Sequence, residues 1–541
     1  MRTRFIAALV LVAAASSPRA QHASLPDHVR AAADRITVGQ ITRDLDFLSS
    51  DALLGRATPS PGFDTAAKYI ADRLQRAGLA PGGDNGTFFQ HYTMRESTVD
   101  SAASFVQIGG TRLPLNDGVS IVTFTGPLSG TYKAVYVGHG WTVPGKNIDP
   151  YAGVDVRGKV VLAHAPGAMP KGVEIPSLGR ITPGASSVVV EAERRGAAAV
   201  IYVGADMASS VPGRARSGQS LRRRELEPSV PSAYAAPRVT ALMLSLDGAK
   251  ALLAGEAGGI DVVANGQTQD YPASFELSKP VTVAIATATS VTHRPFNVVA
   301  ILEGTDPVLK AEHITVFSHL DGAVGSRTID GDPVYNSADD NASGSAGTLS
   351  IAEQMVKTRP KRSIIFVWDS GEEVGLWGTR FFVANPPVPL DRIVAHFNID
   401  MIGANRAPGS SDANEARVTG PNEVFLIGPG VLSARADALL THVNGEYLKL
   451  GFNRQDDRGD SSFFYPRTDA GPFLERGILT IGFNTGIHDR YHQPSDEARH
   501  LDKQKVTDIA RTVFVSVWML ADARERPGID KPIPPNVPRY R

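Results

Sequence analysis

The sequence lacks cysteine altogether in its 541 residues. This absence excludes disulfide bonds, thiolate zinc sites, a cysteine nucleophile and a lipid anchor on an N-terminal cysteine. A net charge is almost absent as well, since 55 lysines and arginines stand against 56 aspartates and glutamates. This balance gives no global field that would attract nucleic acid or an anionic membrane, so we expect no nucleic-acid partner.

A long apolar run that could cross a membrane is also missing. The apolar stretch from Phe5 to Ala15 is far shorter than the roughly 20 residues of a bilayer span. Two arginines precede it, and small residues with a proline follow it through Ala20. This layout is typical of a cleaved secretory signal peptide rather than of a membrane anchor or a chance apolar start. We therefore predict a signal peptide at residues 1–20 and a secreted or periplasmic protein without a membrane span.

The pattern along the chain predicts one catalytic domain that is interrupted by a second domain. At roughly 100–200 residues per domain, the length allows two or three domains. Helices and loops come first, short strands with turns follow, and strands alternate with helices in the second half. The predicted divisions are an N-terminal part of the catalytic domain at 27–116, the inserted domain at 117–270, the rest of the catalytic domain at 271–527 and a C-terminal tail at 528–541.

Apolar runs bounded by turn residues predict the buried strands of the second half. These strands are 298–302, 314–317, 364–368, 393–399 and 478–483, and the helices between or after them are 344–356, 432–448 and 503–524. Near the start, Asp64 to Ala77 carries an apolar face at helical spacing, with Gly78 at the position of a helix end. Such alternation predicts an α/β fold, in which helices sandwich a mostly parallel mixed sheet.

The inserted domain reads differently, as a mainly-β unit. Its predicted strands are 134–137, 159–163 and 198–203, separated by turn signals. The basic segment 214–224 (RARSGQSLRRR) could contact an anion, but we predict that it is a solvated loop of this domain.

Polar residues directly follow the predicted strands of the catalytic domain. In open α/β sheets, ligands bind outside the carboxyl ends of the strands. The residues at these positions are His319, Asp321, Glu372, Glu373 and Asp400, with His492 after a further strand and a short loop. A loop between the first two of these strands holds Asp339 and Asp340. Each has an ordinary explanation when taken singly, such as a core histidine, a solvated glutamate pair or a helix cap. Together they form the histidine and carboxylate donor set of a catalytic zinc or a comparable metal.

Five short segments carry a resemblance to a known family. They are HLD at 319–321, DDNASG at 339–344, EEVGLWG at 372–378, NIDMIG at 398–403 and YHQPSD at 491–496. In this order they resemble the di-zinc aminopeptidases of metallopeptidase clan MH, which include secreted bacterial leucyl aminopeptidases, aminopeptidase Y and glutamate carboxypeptidase II. The insert, at 151–162 and 193–200, resembles a protease-associated domain, and we expect it to act as a lid or to shape the substrate site.

The resemblance implies two Zn²⁺ ions per chain, held by five ligands. His319 and Asp400 would bind one zinc, Glu373 and His492 the other, and Asp340 both. Glu372 would be the general base. Asp321 would hold His319 in the correct tautomer, and Asp496 would have a similar supporting role. The family also implies a cis peptide bond between Asp339 and Asp340.

The charges of such a site fit hydrolysis. Two zinc ions bring four positive charges and three ligand carboxylates return three negative ones, so the centre stays net positive. A water between the metals should then ionise near neutral pH, from a free-water pKa of about 15.7 toward about 7. Glu372 would take its proton and pass it to the leaving amine. The implied function is a secreted zinc exopeptidase, an aminopeptidase that releases N-terminal residues, expected to be apolar.

The substrate pocket is less defined by the sequence. Residues 458–473 are predicted to form one wall, where Phe463, Phe464 and Tyr465 would line an apolar site or pack in the core. Two segments, Gly459 to Phe463 and Thr468 to Phe473, compete for the family's polar motif that ends in a phenylalanine.

Three alternatives stay open at this point. A glutamate carboxypeptidase-like enzyme would need arginines for a free carboxylate, and Arg454, Arg458 and Arg467 keep that option. A mono-zinc glutaminyl cyclase-like transferase and a non-catalytic, receptor-like binding protein are disfavoured by Glu372 and the full set of ligands. The sequence does not indicate the oligomeric state.

Overall fold

The computed structural model describes residues 24–534 with several gaps. The gaps are 165–168, 174–184, 204–220, 231–237, 260, 263–270, 323–324, 326, 408–416 and 459–467. The predicted signal peptide and the last part of the predicted tail lie outside the described residues. Of the helices that the structure describes, none combines the length and the apolar character that a membrane span requires.

The principal helices lie mostly in the two outer parts of the chain. In chain order they are α1 (Asp27–Ala33), α2 (Val38–Leu48), α3 (Pro61–Ala77), α4 (Val188–Arg194), α5 (Leu246–Leu253), α6 (Gly344–Met355), α7 (Trp377–Ala384), α8 (Pro429–Leu432), α9 (Ala434–Glu446), α10 (Ala470–Glu475) and α11 (Lys503–Asp522). At the start of α3 the Ser60 side chain accepts a hydrogen bond from the Phe63 N–H, and Gly78 ends the helix at φ 87°. The predicted helix 64–77 is confirmed, with its start at Pro61.

The strands form three sheets. In chain order they are β1 (Ala80–Pro81), β2 (Phe89–His91), β3 (Thr93–Ile108), β4 (Thr111–Pro114), β5 (Val119–Thr123), β6 (Leu128–Tyr132), β7 (Ala134–Tyr136), β8 (Val160–His164), β9 (Ala199–Val203), β10 (Arg222–Glu227), β11 (Ala241–Leu244), β12 (Phe275–Glu276), β13 (Val281–His293), β14 (Phe296–Leu302), β15 (His313–His319), β16 (Ser363–Asp369), β17 (Ile393–Ile399), β18 (Glu423–Ile427), β19 (Gly451–Asn453) and β20 (Leu479–Asn484).

The largest sheet has nine strands and a parallel centre. Its order is β1-β14-β16-β15-β17-β20-β18-β19, with β2 paired to β14. The four central strands β16, β15, β17 and β20 run parallel, whereas β14 and β18 flank them in the antiparallel sense. The predicted mostly parallel mixed sheet is confirmed, and the parallel strands present their carboxyl ends at one edge.

Helices cover both faces of this sheet. Along β15 and β16, Val316 and Phe366 belong to the core under α2, α3, α6 and α11, whereas Phe317 and Val367 pack on the opposite side with α7 and α10. Because both faces are buried, these strands read as continuous apolar runs in the sequence. This burial explains why the sequence predicted their positions closely.

A separate unit is inserted between β2 and β14, both of which belong to the nine-stranded sheet. Strands β3 to β13 form a five-stranded sheet with the order β10-β3-β13-β6, in which β4 pairs with β3, and a six-stranded sheet with the order β12-β7-β8-β9-β11-β5. The predicted domain limits at 117 and 270 stay a prediction, as does the protease-associated identity. The change from one sheet to the others falls at residues 91–93 and 293–296.

The basic segment of the insert is not a solvated loop over its described part. Arg222, Arg223 and Arg224 lie in β10, where they pair with Glu96 on the neighbouring β3 and with Glu225. Opposite charges on adjacent strands stabilise the pairing, and the sequence could not show that partner. Residues 214–220 lie outside the described residues.

Candidate metal centre

The predicted ligands meet at the carboxyl edge of the parallel strands. His319 is the last residue of β15, and Asp400 follows β17 directly. The other three lie in connecting segments: Glu373 after β16, Asp340 in the wide turn Ala338–Ser343 before α6, and His492 after β20. The fold therefore brings the five side chains together from separate parts of the chain.

Asp340 lies between the two histidines. Its Oδ1 is 3.2 Å from His319 Nε2, and its Oδ2 is 3.1 Å from His492 Nε2. His319 Nε2 also lies 3.3 Å from Asp400 Oδ1, and His492 Nε2 lies 3.1 Å from Glu373 Oε2. The donor atoms thus form two groups that share one carboxylate, the arrangement required of a bridging ligand.

The spacing of these atoms fits divalent metal ions. Ligand atoms about 2.0–2.1 Å from a tetrahedral zinc lie about 3.3 Å from one another, which matches the four separations above. Asp340 Oδ2 and His492 Nε2 are buried and make no hydrogen bond within the described residues, although they are close together. A cation that contacts both atoms would satisfy them. The chemistry and the geometry of the donor set therefore fit a two-metal site.

The segment that holds all of these ligands, residues 297–517, matches a known family. It is peptidase family M28. The predicted resemblance to the di-zinc aminopeptidases is confirmed at this level for the M28 segment. The comparison leaves the insert unassigned, because the insert lies outside the matched residues.

Curated relatives cover only parts of the chain. Aminopeptidase YwaD of Bacillus subtilis (strain 168) is 24% identical over 203 residues, which are 36% of this chain and 40% of that protein. An aminopeptidase of Pseudomonas aeruginosa (strain UCBPP-PA14) is 30% identical over 151 residues, which are 27% of this chain and 25% of that protein. The matches thus span less than half of either relative.

One solved structure covers most of the chain. The aminopeptidase from Aneurinibacillus sp. strain AM-1 superposes with a TM-score of 0.54 at 19% identity, over 95% of this chain and 100% of that chain. At this identity the likeness concerns the fold, and it confirms the predicted α/β class.

Burial dominates the electrostatics of the candidate metal centre. It raises the pKa of both Glu373 and Asp400. Burial alone would lower the pKa of His492, but the carboxylates of Glu373 and Asp340 raise it to about 10. The protein alone therefore holds protons where a metal ion would bind, and metal binding must displace them.

Glu372 lies in a closed loop beside the second metal group. The glutamate loop, residues 370–378, is closed by hydrogen bonds from the Gly378 N–H to the Ser370 carbonyl at 2.8 Å and from the Trp377 N–H to the Gly371 carbonyl at 3.1 Å. Glu372, Glu373 and His319 offer atoms within 4.8 Å of one another. Burial raises the pKa of Glu372 well above its usual range.

Asp321 contacts His319 through its backbone carbonyl, whereas we expected a contact through its side chain. His319 Nδ1 lies 3.0 Å from the backbone carbonyl of Asp321, whereas the nearest carboxylate oxygen is 3.9 Å away. Donation from Nδ1 to this carbonyl leaves Nε2 free for a metal, so the tautomer role belongs to the carbonyl. The carboxylate instead accepts the backbone N–H groups of Glu372 at 3.2 Å and Glu373 at 3.4 Å.

The turn around Asp340 contains the cis peptide bond, one residue later than predicted. The cis bond joins Asp340 to Asn341, not Asp339 to Asp340. Both bonds involve Asp340 and a similar polar neighbour, so the sequence does not separate them. Asp496 lies beside the turn, and its carboxylate accepts the N–H groups of Asp339 at 3.0 Å and Asp340 at 3.2 Å.

Sequence reasoning missed a fully buried arginine behind the site. The Arg56 guanidinium donates to the backbone carbonyls of Leu48, Leu320 at 2.8 Å, Asn336 at 3.0 Å and Ser337 at 2.9 Å. Burial lowers its pKa to about 10, so it stays charged at neutral pH. It therefore ties together the segments that carry His319 and Asp340. In the sequence, the one local signal for this arginine is the glycine before it, Gly55, which suggests a tight turn. In the structure Gly55 has a φ of 74°.

A second group that we did not predict is a pair of buried carboxyls. The Thr379 hydroxyl lies 2.8 Å from Asp369 Oδ2 and also contacts Asp469 Oδ1. Burial raises the pKa of both aspartates. A hydroxyl donates only one hydrogen, so Thr379 can donate to one of the two carboxyls. The other carboxyl must carry a proton and donate it to the hydroxyl oxygen. Asp469 and the core residue Phe473 place the segment Thr468 to Phe473 next to the strand ends.

The remaining predicted substrate residues are only partly described. Gly459 to Phe463, Phe464, Tyr465 and Arg467 lie outside the described residues. Arg454 is engaged by Asp437 and by Asp457, so it is not free to hold a substrate carboxylate.

Proposed function

We propose that this chain is a zinc-dependent aminopeptidase that hydrolyses the peptide bond next to a free N-terminus. The observation that carries the proposal is the Asp340 carboxylate, whose two oxygens reach His319 and His492 within the M28 segment. His319, Asp340 and Asp400 would hold one zinc, and Asp340, Glu373 and His492 the other. The names of the relatives from Bacillus subtilis and Pseudomonas aeruginosa support this class of substrate.

When bound, two zinc ions polarise the scissile carbonyl and stabilise the charge that develops on its oxygen. The chain's own residues handle the proton. Glu372 accepts the proton of the attacking water on its carboxylate and delivers it to the leaving amine.

The orientation of the substrate follows from the charges around the site. A free C-terminal carboxylate would need a cation, and Arg454 already pairs with Asp437 and Asp457. This pairing removes Arg454 from the three arginines that the carboxypeptidase alternative could use.

A small pocket beside Asp400 is the candidate site for the first side chain. Ile427 and Phe483 contribute its apolar wall, and Thr468 and Asn398 add polar atoms. The lining mixes apolar and polar groups, and the small size of the pocket favours small N-terminal side chains.

The proposed activity is tested with matched peptides and a base variant. Peptides with a free N-terminus should be cleaved, whereas N-acetylated copies should not. A chelator should abolish the cleavage, and added zinc should restore it. Glu372→Gln should keep the zinc content and lose roughly 10²- to 10⁴-fold in turnover. Equal cleavage of free and acetylated peptides would overturn the aminopeptidase assignment. A near-native rate of Glu372→Gln would show that Glu372 is not the general base.

We also propose that residues 1–20 direct export and are removed. The basic start, the apolar run and the small residues before Ala20 support this. N-terminal sequencing of the protein recovered outside the cytoplasm should find a start near residue 21. An intact Met1 on the mature protein would contradict export by cleavage.

A further inference from the structure

The inserted unit reaches the catalytic edge through the glutamate loop. The contact begins at Tyr92, where the chain leaves the nine-stranded sheet, and its hydroxyl lies 3.1 Å from the Ser370 carbonyl and 2.9 Å from Ser370 Oγ. Tyr92 is only 2% exposed, so water does not compete for these hydrogen bonds. Tyr92 therefore fixes the first residue of the loop that carries Glu372.

Gly371 shows how closely Tyr92 approaches the loop. A Cβ atom at Gly371 would lie 3.2 Å from the Tyr92 hydroxyl and 3.0 Å from Cε3 of Trp377. The residue also has a φ of 74°, which favours glycine. The loop is thus packed directly between Tyr92 and Trp377, without room for a side chain.

Two strands of the insert complete this contact. Trp377 packs in one buried cluster with Met94 of β3 and Leu226 of β10. The Arg224 guanidinium lies 6.0 Å from the centroid of the Trp377 ring, and Glu96 holds it there through an ion pair. Apolar packing and a cation–π contact thus press the insert against the end of the glutamate loop.

The position of Glu372 depends on these contacts. Contacts from two sides hold the backbone of the loop next to Glu372. The Asp321 carboxylate holds the Glu372 N–H from the side of β15. Tyr92 and Trp377 hold the two ends of the loop from the side of the insert.

We propose that the insert is a working part of the catalytic centre, with Tyr92 and Trp377 as positioning residues that hold Glu372 in its reactive place. The inference rests on the proposed function only through the role of Glu372 as base. A displacement of a catalytic group by about 1 Å can cost about 10²-fold in rate. Loss of the Tyr92 contact should therefore lower turnover more than substrate binding.

The experiment compares Tyr92→Phe with Tyr151→Phe as a matched control. The Tyr151 hydroxyl also donates to a buried carbonyl, that of Gly140, but within the core of the insert. Tyr92→Phe should lower kcat about tenfold or more, with KM and zinc content unchanged. Tyr151→Phe should keep the native kcat. Equal kcat values for the two variants and the wild type would overturn the proposal.

A second measurement does not depend on catalysis. Hydrogen–deuterium exchange should speed up at residues 371–377 in Tyr92→Phe and in Arg224→Gln, and stay native there in Tyr151→Phe. Arg224 is partly exposed, so its variant should fold even if Tyr92→Phe does not. Unchanged exchange in both variants would overturn the proposal. If exchange changes in the variants but the wild-type protein has no peptidase activity, the proposed function alone is refuted.

Discussion

The carboxylate of Asp321 accepts a hydrogen bond from the backbone N–H of Glu372 at 3.2 Å. This bond ties the segment after β15 to the loop after the neighbouring strand β16. The carbonyl of the same Asp321 lies 3.0 Å from Nδ1 of His319. A single residue therefore positions both a proposed ligand and the proposed base.

Asp321→Asn should separate these two roles. The backbone carbonyl remains, so His319 should keep its tautomer and the zinc content should stay near two per chain. The amide keeps one acceptor oxygen but presents an NH2 group in place of the other, so the N–H of Glu372 or of Glu373 loses its partner. Turnover should therefore fall about 10- to 100-fold, as for other residues that support a metal ligand. Steady-state kinetics and metal analysis check both outcomes. Asp247→Asn, at an exposed site in the insert, serves as the control. Native turnover in Asp321→Asn would contradict the role of its carboxylate.

The stability of the metal-free protein should fall as the pH rises. Burial raises the pKa of Asp321 to about 8 and that of Asp496 to about 7. An unfolded aspartate titrates near 3.9, so the folded state binds these protons more tightly. The stabilisation is complete below about pH 4 and is lost as the pH rises through 7 to 8.

Urea unfolding in the presence of a chelator tests this dependence. The midpoint should be lower at pH 8.5 than at pH 5, and Asp496→Asn should reduce the difference. Zinc should reverse the trend, because metal binding displaces the same protons and strengthens as the pH rises. A metal-free protein that gains stability between pH 5 and pH 8.5 would contradict the burial of these carboxyls.

Arg56→Met should damage the site as well as the fold. The variant leaves the four carbonyls around the guanidinium without a donor, and each buried unpaired group costs about 1–3 kcal/mol. The free energy of unfolding should fall by at least about 2 kcal/mol, and zinc affinity should fall with it. Arg362→Met is the matched control, since Arg362 is equally buried but directly precedes β16 and pairs with Glu312, which directly precedes β15. These residues lie at the opposite end of the two strands from the ligands.

Denaturant unfolding and competition with a chelator measure the two effects. Both variants should lose stability, but only Arg56→Met should release zinc more readily. Equal zinc affinity in the two variants would show that Arg56 supports the fold without organising the metal site.

The sequence predicted the catalytic half of the fold closely, for a physical reason. Strands such as Ile393–Ile399 are buried on both faces, so they appear as unbroken apolar runs. Polar residues at their carboxyl ends stand out against that background, and this contrast led to His319 and Asp400. Glu373 follows a strand in the same way, and Asp340 and His492 lie in neighbouring loops. The resemblance then implied a role for each of the five residues.

What the sequence did not predict depends on contacts between distant segments. Arg56 looks like a solvated loop residue until the carbonyls of Leu320 and Ser337 surround it. The ion pairs of Arg224 and the packing of Trp377 likewise require a partner from another part of the chain. The exact position of the cis bond depends on backbone detail that neighbouring aspartates do not encode.

Metal analysis of the purified protein tests the central claim most directly. The wild type should bind two zinc ions per chain, and His492→Ala should bind one, because His319 and Asp400 stay in place for the other. Mass spectrometry under native conditions distinguishes these counts. A single tightly bound ion in the wild type, or an unchanged count in His492→Ala, would contradict a centre bridged by Asp340.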